Sequence, residues 1–241
     1  MDDRRIREAY LIGDDALAKL KNARVALFGV GGVGSFCAEA LVRMGVGHIT
    51  FVDNDTVSVS NINRQLVALS STVGEMKTEV MKRRALDIDP DADIEIRNMF
   101  YLPETADDFD ISGYDCIVDA IDTVSAKLEL IKRADKAGVP IVSCMGTGNK
   151  LHPEMLEITD IYKTSVCPLA KVIRGKLREA GIKKRRVVYS KEEAKKTHRD
   201  YAGKAALPEN KRQVPGSISF VPPTAGMLLA SEVFEIITGI K

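Results

Sequence analysis

Gly29-x-Gly31-x-x-Gly34 follows a short apolar run, Arg24 to Phe28, and precedes a stretch with helical spacing, Ser35 to Met44. Glycines at this spacing let the chain turn tightly and let backbone amides approach a phosphate. The helix that follows offers free N–H groups and the positive end of its dipole. Asp53 lies 19 residues beyond Gly34, where a ribose-binding carboxylate falls in dinucleotide sites. Close packing of strand on helix would explain the glycines but not the spaced aspartate. The set predicts a site for an adenosine-containing ligand and leaves NAD, FAD and ATP open.

The next segment separates these ligands. From Asp53 to Gln65 the chain reads DNDTVSVSNINRQ, which places Asp53, Asp55, Asn61, Arg64 and Gln65 just past a strand end. Lys77 follows 13 residues after Arg64, and Asp119 and Asp122 end a later apolar run. In an open α/β sheet, ligands sit outside the carboxyl ends of the strands, so these segments can converge on nucleotide phosphates. Arg64 and Lys77 would oppose phosphate charge, and Asp122 would hold Mg²⁺. Hydride transfer has no evident need for such a set, whereas breaking the α–β bond of ATP does. A surface ion-pair cluster would account for any two of these residues but poorly for all of them.

The elements that must position these residues follow from the apolar pattern. Arg24–Phe28, His48–Val52, Ile94–Asn98, Cys116–Ala120 and Pro140–Ser143 read as strands, with helices at 35–44, 75–87 and 125–136. Met155 to Asp160 alternates and predicts an edge or antiparallel strand. A basic helix follows Pro168 to about Glu179. Lys183–Asn210 reads as a long polar loop or crossover without fixed structure. Ser217–Val221 is expected as a last strand and Ala225–Ile237 as a last helix. The predicted fold is Rossmann-like α/β: a mostly parallel sheet, helices on both faces, and antiparallel strands added in the C-terminal part. One domain is expected over 1–241, comprising a nucleotide-binding core (1–165), a basic segment (166–212) and a final strand and helix (213–241).

Composition narrows the function class. The 241 residues are 45% hydrophobic and 29% charged, ordinary for a globular chain. The longest uncharged run, Gln213 to Ser231, holds three prolines, so no membrane span and no membrane partner are expected. The N-terminus lacks a secretory pattern, which predicts a cytoplasmic protein. Four isolated cysteines (37, 116, 144, 167) form no CxxC pair, so no zinc is expected. Net charge is +1, but residues 171–212 carry 15 Lys and Arg against 5 Asp and Glu. Such asymmetry fits an anionic partner, nucleic acid above all, or a solvated insert. The densest cluster is Lys183, Lys184, Arg185 and Arg186.

GVGGVG, DNDTVSVSNINRQ, GEMKTEV and VDAIDT together resemble the adenylating fold of ubiquitin-activating enzymes and their bacterial ThiF, MoeB and HesA relatives. The resemblance runs from about Arg4 to Ile161. It implies an ATP site comprising Gly29, Gly31, Gly32, Gly34, Asp53, Asp55, Asn61, Arg64, Gln65, Lys77 and Asp122, with Mg²⁺ at Asp122. It also implies a homodimer in which Arg7 enters the partner's active site. The family usually reads Arg-Phe-x-Arg there; this chain reads Arg4-Arg5-Ile6-Arg7.

Beyond that core, SCMGTGNKLHP, ITDIYKTSVCPLAKVIRGKLRE, RRVVYSKE and KRQVPGSISFVPPTAGMLLASEV resemble the branch that dehydrates threonylcarbamoyladenosine beside the tRNA anticodon. The resemblance implies ATP-dependent adenylation of the threonyl carboxylate and ring closure. It gives the basic segment a partner in tRNA. That branch carries a cysteine after the Lys-Arg matching Lys211-Arg212, but Gln213–Pro223 contains none, so no covalent cysteine is expected there. A sulfur-transfer protein partner is the remaining expectation of the resemblance. The alternatives are adenylation of a small ubiquitin-like sulfur-carrier protein, a NAD-dependent dehydrogenase, and an adenosine-binding regulator.

Overall fold

β1 (Arg24–Phe28) alternates between two cores: Val25 and Leu27 face one, Ala26 and Phe28 the other. A strand apolar on both faces must be covered on both. The structure is a computed structural model and describes residues 3–196 and 215–241. In chain order the main elements are α1 (Ile6–Asn22), β1, α2 (Gly34–Arg43), β2 (His48–Val52), α3 (Lys77–Ile88), β3 (Asp93–Arg97) and β4 (Cys116–Asp119). There follow α4 (Val124–Ala137), β5 (Ile141–Cys144), β6 (Leu156–Asp160), α5 (Pro168–Glu179), β7 (Arg186–Ser190) and α6 (Val221–Thr238). Residues of α2, α3 and α6 fill the first core, and residues of α4 and α5 fill the second.

The seven strands lie in the order β3-β2-β1-β4-β5-β7-β6, parallel except for β6, which runs antiparallel to β7. This is the expected fold class. The chain winds outward from β1 to β3, then returns across the sheet to β4. The order therefore reverses between β1 and β4, the place where open α/β sheets form a crevice. Phe28 is level with Val52 on one neighbour and Asp119 on the other. Three strands thus end side by side, just before Gly29, Asp53 and Ala120.

Three expectations need correction. First, the stretch expected as a loop from Lys183 contains β7, with Val187, Val188 and Tyr189 buried. Its basic start hid it: Arg186 is paired with Glu232 of α6, so the strand enters the sheet with its charge matched. Residues 197–210 of that stretch lie outside the described residues. Second, Ser217–Val221 is not a strand. Val221, Pro222 and Pro223 begin α6 instead. Proline cannot donate to a strand ladder, but it suits a first helical turn, where N–H groups have no partner anyway. Third, the apolar pattern gives no element before β1, yet α1 lies there. Gly13, at φ 77, interrupts it, which breaks the helical pattern of the sequence.

Candidate active site

The glycine loop closes over the end of β1. Gly29 has φ 91, and a Cβ there would lie 2.8 Å from the Ala120 carbonyl oxygen. A Cβ on Gly34 would lie 1.7 Å from the Gly29 carbonyl oxygen. Both positions need glycine: the first for φ and close approach, the second for packing of α2 on the loop. Gly34 supports the loop from behind, and Gly29, Gly31 and Gly32 line a cavity of about 450 Å³.

Asp53 leaves the end of β2 towards this loop. Its carboxylate accepts the Val30 N–H at 2.6 Å and the Asp55 N–H at 2.8 Å. Lys77, the first residue of α3, reaches the same place through a bridge pairing Thr56 with Met76. Lys77 is buried, and its Nζ donates to Asp55 at 2.7 Å. The Ser35 hydroxyl donates to the Gly31 carbonyl oxygen and accepts the Leu66 N–H, which holds the Arg64–Gln65 turn against α2. Arg64 donates to the Ser60 carbonyl oxygen at 2.9 Å and to Asn63 at 2.8 Å. Burial lowers its guanidinium pKa from the ordinary value, yet arginine stays charged in proteins. Gln65 is buried, and its Oε1 has no partner among the described residues.

Asp53, Asp55, Asn61, Arg64, Gln65, Lys77 and Asp122 all line the one cavity. Asp122 is exposed at its rim, in the turn between β4 and α4. One end of the cavity is apolar, lined by Phe28, Val52, Met99, Phe100 and Tyr101. Phe28 meets Tyr101 edge-on, with ring centroids 4.9 Å apart. Burial pushes the Tyr101 hydroxyl up to about 12. Sequence patterning missed this wall because Met99–Tyr101 follows β3 in a loop without a period. Of a second wall, Cys144–Gly148, Leu169 and Pro215–Ser217, three segments far apart in the chain, the sequence places only Cys144 near the pocket, at a strand end.

The remaining sequence candidates lie elsewhere. Arg7 is exposed in the first turn of α1 and does not line the cavity. Arg5, where the family pattern has an aromatic, packs on Gly45 and pairs with Asp89 at 2.5 Å. Lys183 and Lys184 are exposed, whereas Arg185 pairs with Asp135, and Arg186 makes two hydrogen bonds of 2.7 Å to Glu232. Among the described residues, no group of three or more His, Cys, Asp or Glu is placed to hold a metal ion by itself. No helix among them is long and apolar enough to cross a membrane.

Comparison with known proteins identifies the family and the fold. The ThiF family profile matches residues 3–241. A tRNA threonylcarbamoyladenosine dehydratase of Bacillus subtilis is 44% identical over 232 residues, which is 94% of this chain and 91% of that protein. One from Haemophilus influenzae is 41% identical over 165 residues, 68% of this chain and 63% of that protein. Among solved structures, the Escherichia coli tRNA N6-threonylcarbamoyladenosine dehydratase in complex with AMP superposes with a TM-score of 0.88. It is 32% identical, with 99% of this chain and 96% of that chain covered. Its complex with ATP gives a TM-score of 0.86 over the same coverage.

Proposed function

The chain belongs to the ThiF family, and from that premise we propose that it is an ATP-dependent tRNA threonylcarbamoyladenosine dehydratase. The observation that carries this reading is the convergence of Arg64, Gln65, Lys77 and Asp122 on the cavity formed by the glycine loop and Asp53. The likeness to dehydratases over nearly the whole chain supports the choice of substrate.

The adenosine lies against the apolar wall, with its ribose at Asp53 and its phosphates over Gly29–Gly32. Gln65 Oε1, buried without a partner among the described residues, is available to a bound ligand. A carboxylate oxygen of the threonyl group attacks the α-phosphorus, the α–β bond breaks, and pyrophosphate leaves. Arg64 and Lys77 oppose the negative charge that builds on the transferring group. Lys77 must turn from Asp55 to do so, and Asp55 is the more exposed partner of the pair. The neighbouring carbamoyl group then attacks the acyl carbon, AMP leaves, and the ring closes. Hydroxide is a poor leaving group and AMP a good one. Ring closure within one substrate gains from proximity, so the protein need supply no nucleophile.

Mg²⁺ fits Asp122 together with the nucleotide phosphates, because this ion is commonly held by one or two carboxylates, phosphates and water rather than by an all-protein cage. When bound there it neutralises phosphate charge. The homodimer with Arg7 in the partner's site, tRNA contact at the basic turn of Lys183 and Lys184, with Arg185 and Arg186 paired behind it, and a cytoplasmic setting complete the proposal.

The test is turnover of ATP with tRNA bearing threonylcarbamoyladenosine. AMP, pyrophosphate and the cyclic nucleoside are expected in equal amounts. Calorimetry should show binding of ATP with Mg²⁺, and NAD should not bind at comparable affinity. Tight NAD binding without ATP binding would overturn the reading.

A further inference from the structure

Pro215, Gly216 and Ser217 span the cavity between two loops and are held on both sides. On one side Asn149 donates its N–H to the Gly216 carbonyl oxygen at 2.8 Å, and its Oδ1 accepts the Gly216 N–H at 2.6 Å. On the other, Asn63 Nδ2 donates to the Ser217 carbonyl oxygen at 2.9 Å, while its Oδ1 accepts from the Arg64 guanidinium at 2.8 Å. The bridge thus connects the loop after β5 to the arginine assigned to the phosphates.

Asn149 is built for this position. Its φ is 59, in the left-handed region where asparagine is among the few non-glycine residues found. Its carbonyl oxygen accepts the Lys195 N–H at 2.8 Å. Its N–H, carbonyl and side-chain oxygen therefore all hold neighbouring chain. The residues beside it are fixed as well: buried Glu192 accepts the Leu151 and His152 N–H groups, each at 2.9 Å, and buried Lys150 donates to the Glu192 carbonyl oxygen. A Cβ on Gly148 would lie 2.9 Å from Pro215, so loop and bridge are in contact.

The two halves of the cavity differ in chemistry. The half made by Gly29–Gly32, Asp53, Arg64 and Lys77 suits a nucleotide. The half made by Cys144–Gly148 and Pro215–Ser217 carries no charged side chain. We infer that this second half receives the carboxylate-bearing modified nucleoside, and that Asn149 is a positioning residue. It fixes the bridge that faces the acceptor carboxylate. The inference rests on the functional reading above.

Steady-state kinetics of Asn149→Gly and Asn149→Asp, with modified tRNA and ATP varied separately, tests this. Glycine accepts the left-handed backbone and loses only the side-chain bond. It should lower kcat/KM for tRNA about five- to tenfold, the effect of one hydrogen bond, while ATP affinity by calorimetry changes less than twofold. Aspartate keeps the Oδ1 acceptor and should restore most of the loss. Wild-type kinetics in Asn149→Gly, parallel loss of ATP affinity, or failure of aspartate to restore function each overturns the inference alone. A wild-type protein inert towards the modified tRNA overturns the functional reading and this inference with it.

Discussion

Asp119 and Lys127 form an ion pair 2.8 Å long in which both side chains are wholly buried. Lys127 also donates to the Cys144 carbonyl oxygen at 3.0 Å, and Asp119 Oδ1 accepts the Ile121 N–H at 3.2 Å. The pair ties the end of β4, the first turns of α4 and the end of β5 beneath the cavity. Asp122 stands three residues beyond Asp119, at the rim. Desolvating two charges is costly, and such pairs often add little net stability over an apolar replacement. The pair is better understood as geometry: it holds the turn that presents Asp122.

Removing one partner leaves the other charged and buried. Lys127→Met should destabilise the fold by about 3–5 kcal/mol, read as a lower urea midpoint. The double variant Asp119→Leu, Lys127→Met should recover much of that loss. A single variant of wild-type stability would show that the buried pair does not hold the fold.

Asp122 is exposed, so its loss should spare the fold and strike catalysis. Asp122→Ala should keep the wild-type melting temperature and lose about 100-fold or more in AMP formation, the scale of one well-placed electrostatic stabiliser. A folded variant with a near-wild-type rate removes Asp122 from the mechanism.

Cys144 lines the cavity, yet it is a poor nucleophile. Burial pushes its thiol up to about 12, against an opposing pull from Lys127. At pH 8 its thiolate fraction is about a thousandfold below that of a free cysteine. Alkylation by iodoacetamide should be correspondingly slow and should rise about tenfold per pH unit until near the thiol pKa. Cys144→Ala should retain turnover within about fivefold. Fast alkylation at neutral pH, or an inactive alanine variant that binds ATP normally, would instead give Cys144 a covalent role.

Much of this was legible in the sequence because the decisive residues lie near strand ends whose apolar runs are unmistakable. Gly29, Asp53 and Asp122 each follow such a run, and the doubly wound topology does the rest. Lys77 was found by motif, and its position depends on the Thr56–Met76 bridge, which no periodicity reveals. Beyond Cys144 at the end of β5, the second wall was invisible because its parts come from the loop after β5, the first turn of α5 and the chain before α6. β7 was hidden by the arginine at its start, whose charge only the fold matches with Glu232. Ser217–Val221 reads as a strand from its apolar spacing, although Val221 and the two prolines after it begin α6.

The basic cluster divides into two pairs with different expected roles. Arg185 and Arg186 are matched by Asp135 and Glu232, and Glu232 is buried. Lys183 and Lys184 are exposed in the turn between α5 and β7. If the turn contacts the tRNA backbone, the lysines displace counterions, while Arg185 ties the turn to Asp135 of α4 and Arg186 holds β7 against α6. Lys183→Glu, Lys184→Glu should weaken tRNA binding and lower the slope of log affinity against log salt by about 2, at about 0.9 per phosphate contact. ATP binding and melting temperature should not change. Arg186→Glu should instead lower the melting temperature, because it sets a second carboxylate against buried Glu232. Filter binding at several salt concentrations, with a thermal melt of each variant, separates the two. Unchanged affinity and slope in the lysine variant would mean that this turn is a solvated surface, and that tRNA is held elsewhere on the protein.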